Sequence, residues 1–161
     1  MMKSDNDRTE LSVLDSIIAK IDSCTATTDN EIRDEELATL IKAARLAPSA
    51  DNSQIWRFLI IKRKEKIDKI ITIAGLSKKN FKTIILALAA PFIIKHIRRE
   101  QPFYAIDVPI AITHILLQGL ELGIKTEIHF IFERTDILNT LNIPSKYKPV
   151  AILGLNKYEN T

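Results

Sequence analysis

The sequence predicts an α+β domain, on three observations. Some segments place apolar residues at helical spacing, others are short apolar runs bounded by turn residues, and the two kinds interleave irregularly rather than as repeated βαβ units. At 161 residues the chain favours a single domain. A domain of this size buries roughly 70% of its unfolded surface and needs no disulfide or metal staple.

Residues 1–10 (MMKSDNDRTE) are expected to be a disordered tail, and residues 11–161 one domain. Leu11, Leu14, Ile17, Ile18 and Ile21 predict a first helix over 11–21. The polar run 22–30 (DSCTATTDN) predicts a loop. Leu37, Leu40, Ile41 and Ala44 put a second helix at 33–46, with Asp34, Glu35 and Glu36 suited to its N-terminal dipole. A strand is expected at 58–62, then a helix over 64–74 closed by Gly75. Residues 78–89 read as a further helix and 91–97 as a short buried strand. Asp107 followed by Val108 and Pro109 reads as the N-cap of a long helix running to Leu122, with Gly123 as its stop. His114, Gln118 and Glu121 form its one polar stripe, so the helix is expected to be buried nearly all round. A strand at 126–132, a helix at 134–141 ended by Pro144, and a last strand at 149–155 complete the chain.

Composition narrows the function. Hydrophobic residues are 46% and charged residues 27%, as in globular proteins. Cys24 is the only cysteine, which removes intramolecular disulfides and cysteine-pair zinc sites and points to a reducing compartment. The opening lacks the apolar core of a signal peptide, and the apolar runs 84–94 and 108–124 are too short or too polar to span a bilayer. A cytoplasmic protein without membrane partners is expected. Net charge is +3 with a pI near 9.0, which suits any anionic ligand. An aromatic content of 6% argues against a base-stacking surface, so no nucleic-acid partner is expected. The three histidines show no metal-ligand spacing, and no Ser-His-Asp, Cys-His or carboxylate-pair arrangement stands out.

The stretch 43–58, AARLAPSADNSQIWRF, stands apart. A helix breaks at Pro48, crosses Ser49, Asp51, Asn52, Ser53 and Gln54, and enters a strand. Short hydrogen-bonding side chains and free backbone N–H groups are thereby gathered between two buried elements. The run resembles the Ala-Pro-Ser-x-x-Asn-x-Gln-Pro-Trp-x-Phe signature of the flavin-dependent nitroreductase family, with Ile55 in place of the second proline. Further on, Ala90-Pro91, Asp107 opening a long helix, Leu122-Gly123-Ile124, Leu141 to Pro144 and the closing Pro149 to Gly154 follow the family's order, so the likeness spans about 33–156.

The resemblance implies a three-layer arrangement, a mostly antiparallel sheet flanked by helices, in a homodimer that binds FMN at the subunit interface. It implies ping-pong electron transfer from NAD(P)H to nitroaromatics, quinones or similar small acceptors, with the flavin carrying the chemistry and no catalytic side chain. Pro48, Ser49, Asn52 and Gln54 match the family's flavin-binding bend, Gln54 more as its brace. Gly123, Lys125 and Thr126 fall in the segment GIKT, where the family has Gly-Leu-Gly-Thr against the ring; Lys125 stands where a glycine is usual. Lys20 and Ser23 fall near the family's Arg-Arg-Ser-x-Arg phosphate motif, whose arginines are replaced here, and the family's C-terminal arm is expected to be missing after Thr161. Two lost charge-assisted contacts at about 1.5–3 kcal/mol each correspond to a hundredfold or more in affinity. The alternative is therefore a nitroreductase-fold dimer that binds little or no flavin and acts as a non-enzymatic binding protein.

Overall fold

The computed structural model describes residues 15–17, 19–20, 27–91 and 103–158. Four strands form one sheet in the order β1-β2-β4-β3, every neighbouring pair antiparallel. The elements are α1 (Asp34–Arg45), β1 (Trp56–Ile61), α2 (Lys64–Ile73), β2 (Thr83–Ala89), α3 (Tyr104–Glu121), β3 (Ile124–His129), α4 (Arg134–Leu141) and β4 (Lys148–Lys157).

Alternation along the two central strands divides the core. Ile85, Ala87 and Ala89 of β2 join Ala151, Leu153 and Leu155 of β4 under α1 and α3, against Leu37, Leu40, Val108, Ile112 and Ile115. Ile84, Leu86, Leu88 and Ile152 face the other way, against Ile67, Ile70 and Ile71 of α2 and Ile137 of α4. Three layers result, helices on both sides of the sheet, as the resemblance implied.

Covering both faces explains one error of sequence reading. Residues 78–89, expected as a helix, contain β2, all seven residues of which are buried. A strand covered on both faces is a continuous apolar run, with no alternation to separate it from a buried helix. The expected strand at 91–97, apart from Pro91, and most of the expected helix at 11–21 lie outside the described residues. Residues 15–17 and 19–20 are helical.

The long helix also differs from expectation. Asp107 is not its N-cap. It lies in the first turn, its own N–H donating to Phe103 O at 2.8 Å, and Pro109 sits inside the helix. Nor is α3 buried all round, since Ile106 and Leu117 are 55% and 42% exposed. Boundaries move elsewhere too: β1 starts at Trp56, β3 covers 124–129, and β4 extends to Lys157.

Candidate functional site

The bend after α1 is built from the helix outward. Leu46 and Ala47 donate to Ala43 O and Ala44 O in a tightening last turn, and Pro48, with no N–H, ends it. Ser49 is extended, and a 3-10 turn follows at Ala50–Asn52. Asp51, Asn52 and Gln54 all have positive φ, at 52°, 52° and 44°. Asp and Asn tolerate this region, whereas Gln does so at a cost on the order of 1–3 kcal/mol.

A network of side chains holds that geometry. Ser49 Oγ accepts from the Gln54 N–H at 3.1 Å, and Gln54 Nε2 donates to Arg45 O and Asn52 Oδ1, each at 3.4 Å. Gln54 is thus the brace of the bend. From α3, Asp107 Oδ1 accepts the Ala50 N–H at 3.2 Å. Asn52 is left exposed, with no partner for Nδ2 among the described residues, and the Ser49 hydroxyl proton has no acceptor there.

The GIKT segment lies at the other end of α3. Gly123 takes φ 64°, and its carbonyl accepts from Tyr158 N at 3.0 Å. Just before it, Gly119 lets the helix approach β3 closely. A Cβ there would come 2.9 Å from Ile124 O and 3.2 Å from Thr126 Oγ1. Lys125 reaches along the strand to Glu127, 3.9 Å away. Lys20 sits at this same end, its Nζ 3.5 Å from Glu121 Oε1. Ser23 lies outside the described residues.

Among the described residues, four buried side-chain polar atoms lack a hydrogen-bond partner: Ser53 Oγ, Asp107 Oδ2, Thr126 Oγ1 and His129 Nε2. Three of the four belong to these two clusters. Buried polar groups are normally satisfied, so this concentration is what a site awaiting a polar ligand would show.

Within one chain the clusters do not meet. The bend is tied to Asp107 and the Lys20 cluster to Glu121, about 21 Å further along α3 at 1.5 Å per residue. Between them α1 and α3 leave an open groove of 520 Å³ lined by Thr39, Ala43, Leu46, His114, Leu117 and Gln118 among others. His114 Nδ1 lies 3.1 Å from Ala43 O, linking the two helices. Leu46 is 74% exposed beside the groove.

The nitroreductase family model matches residues 22–83, which include the whole bend. A protein of Archaeoglobus fulgidus, described as a candidate NADH dehydrogenase/NAD(P)H nitroreductase, is 29% identical over 133 residues, covering 79% of this chain and 75% of its own. The fold is shared with an FMN-dependent nitroreductase from Clostridium difficile R20291 (TM-score 0.74, 24% identity, covering 89% and 88% of the two chains). It is shared equally with a nitroreductase family protein from Streptococcus pneumoniae (TM-score 0.79, 17% identity, 92% of each chain). Over residues 22–83 the chain resembles the nitroreductase family, and its fold is the one those structures share.

By their donor chemistry the residues suit a flavin ring. Asn52 Nδ2 and the Ser49 hydroxyl are available donors, and Thr126 Oγ1 is a buried hydroxyl without a partner. The phosphate end is less well supplied, since Lys20 already faces a carboxylate.

Two residues that tie these elements together leave no mark in the sequence. Asp107 was read as a helix cap, because a bond across 57 residues to Ala50 leaves no periodic trace. Glu36 was read as dipole complement only. It is buried, and accepts from Arg33 N at 2.9 Å, Arg33 Nη2 at 3.2 Å and Lys157 Nζ at 2.6 Å. Lys157 also donates to Leu122 O at 3.0 Å, so Glu36 ties the start of α1 to the end of α3.

Proposed function

We propose that the protein is an FMN-dependent NAD(P)H oxidoreductase acting as a homodimer in which each flavin site takes its bend from one copy and its GIKT segment from the other. The separation of the two clusters along α3 carries this reading. A two-fold axis pairing the α1–α3 faces sets the bend of one copy against the far end of α3 in the other, and an isologous interface does so twice. The exposed Leu46, Ile106 and Leu117 are the apolar surface such pairing would cover.

A flavin held here would supply hydride-transfer chemistry between NAD(P)H and a small acceptor such as a nitroaromatic or quinone. The chain's own residues bind and orient. Asn52 and Ser49 would donate hydrogen bonds to the ring and ribityl chain, Thr126 would supply a further hydroxyl, and Gly123 and Lys125 would shape the backbone beside it. Pro48 and Gln54 hold the bend in form, and Asp107 fixes it to α3. Lys20 and Ser23 would serve the phosphate. Among the described residues no helix is long and apolar enough to cross a membrane, and we place the enzyme in the cytoplasm with NAD(P)H as reductant.

Titration of the purified protein with FMN, followed by quenching of flavin fluorescence, tests the reading. Saturable quenching is expected, and Asn52→Ala lowers occupancy while leaving the folded dimer intact. A colourless protein that never quenches FMN would instead favour the non-enzymatic binding protein.

A further inference from the structure

On the other side of the bend, between α1 and the outer edge of β1, the surface carries two adjoining hollows. One, of 410 Å³, is lined by Arg45, Ser53, Gln54, Trp56, Arg57 and Phe58 together with Ile41. The other, of 630 Å³, shares Ile41, Arg45 and Gln54 and adds Lys42. Three cationic side chains line this notch and no carboxylate does. Elsewhere the chain pairs exposed lysines with acids, as in Lys62–Asp34, Lys64–Asp68 and Lys82–Asp29. Lys42 and Arg45 have no such partner among the described residues.

Arg57 is held in place without being neutralised. Its Nη1 donates to Gln54 O at 3.3 Å and Trp56 O at 2.6 Å, leaving its other N–H groups without a partner among the described residues. An arginine anchored by carbonyls loses less freedom on meeting an anion, and its planar fork matches an oxyanion. Ser53 adds a buried hydroxyl with no partner, lining the same hollow. The negative end of the α1 dipole lies near, but its last carbonyls are covered. Ala43 O and Ala44 O accept from Leu46 and Ala47, and Arg45 O from Gln54 Nε2.

We propose that this notch is an oxyanion site that takes the phosphate group of a small-molecule ligand lying against the bend, with Arg45 and Arg57 as the charged donors and Ser53 as the hydroxyl donor. The assignment stands apart from the flavin reading, because the notch is tested with inorganic phosphate alone.

The experiment is an NMR titration of the full chain with inorganic phosphate against chloride at constant ionic strength, following arginine Nε–H and backbone amide signals. Saturable shifts are expected at Arg45, Ser53, Gln54 and Arg57, with the exposed Arg63 and Arg134 unmoved. Arg45→Gln and Arg57→Gln each weaken binding by about tenfold or more, as loss of a charge-assisted bond requires. Their dispersed spectra show whether they remain folded. Shifts that grow linearly, that appear equally at Arg63 and Arg134, or that persist unchanged in both variants would overturn the proposal. With phosphate bound, competition names its source. Displacement by NADPH and not NADH assigns a nucleotide 2′-phosphate, and displacement by FMN and not riboflavin assigns the flavin phosphate. Displacement by none of them assigns a free or differently carried phosphate, and each of these outcomes keeps the site.

Discussion

Replacing Glu36 by glutamine removes a buried charge that is satisfied on three sides. Burial alone would raise its pKa. The ammonium of Lys157, the Arg33 N–H and the Arg33 guanidinium outweigh that and hold it at about 2, below the ordinary 4.5. At about 1.4 kcal/mol per tenfold change in acidity, that depression stabilises the fold by about 3 kcal/mol at pH 7. The sign follows from proton uptake. Between pH 4.5 and 2 the unfolded chain binds the proton that the folded chain refuses, so the contribution is complete above 4.5 and fades as pH falls towards 2. At pH 3 about 1.4 kcal/mol remains. Urea unfolding of wild type and Glu36→Gln at pH 7 and pH 3 reads this directly. The difference in unfolding free energy is expected to be about 3 kcal/mol at pH 7 and to shrink by more than half at pH 3. A difference that stays constant with pH, or falls below about 1 kcal/mol at pH 7, would refute the electrostatic account of how α1 is anchored.

Other perturbations reach the site by different routes. Gly119→Ala forces a Cβ to within 2.9 Å of Ile124 O, and should cost about 1–3 kcal/mol in a urea midpoint experiment as α3 and β3 move apart. Asp107→Ala takes away the acceptor of the Ala50 N–H, so hydrogen exchange at Ala50 should accelerate about tenfold or more while amides in β2 and β4 keep their protection. His129 has a lowered pKa because of burial first and the Lys79 charge second, with Glu127 opposing. Its neutral form is the one the fold prefers, so stability is full above 6.5 and declines as pH drops below it. His129→Gln should flatten that slope in unfolding free energy between pH 7 and pH 5.5.

The bend was legible because its chemistry is local. Pro48 must end a helix, and a cluster of Ser, Asp, Asn and Gln before a β-rich run must form a turn. The α+β class, the long helix and the closing strand were readable for the same reason, each carrying its own period or punctuation. β2 was not, because TIILALA lies between covered faces and its leucines and alanines favour a helix when read alone. The role of Asp107 was hidden because its partner is 57 residues away. That the bend would serve the neighbouring subunit's flavin came from the resemblance alone, since no local pattern carries it. Pro48 to Gln54 and Gly123 to Thr126 were both picked out by resemblance, but only the fold ties the first to Asp107 near the start of α3 and sets the second beside Gly119 near its end.

That separation is tested most directly by subunit complementation. Chains carrying Asn52→Ala and chains carrying Thr126→Ala are each expected to bind FMN poorly, since every site in either homodimer is damaged. After the two are unfolded together and refolded, mixed dimers form in which one site draws both intact residues from different chains. Flavin binding should then return to about a quarter of all sites, the share set by random pairing in a two-fold dimer. If the mixture binds no more FMN than the average of its two parents, each chain builds its site alone and the shared-site account is wrong.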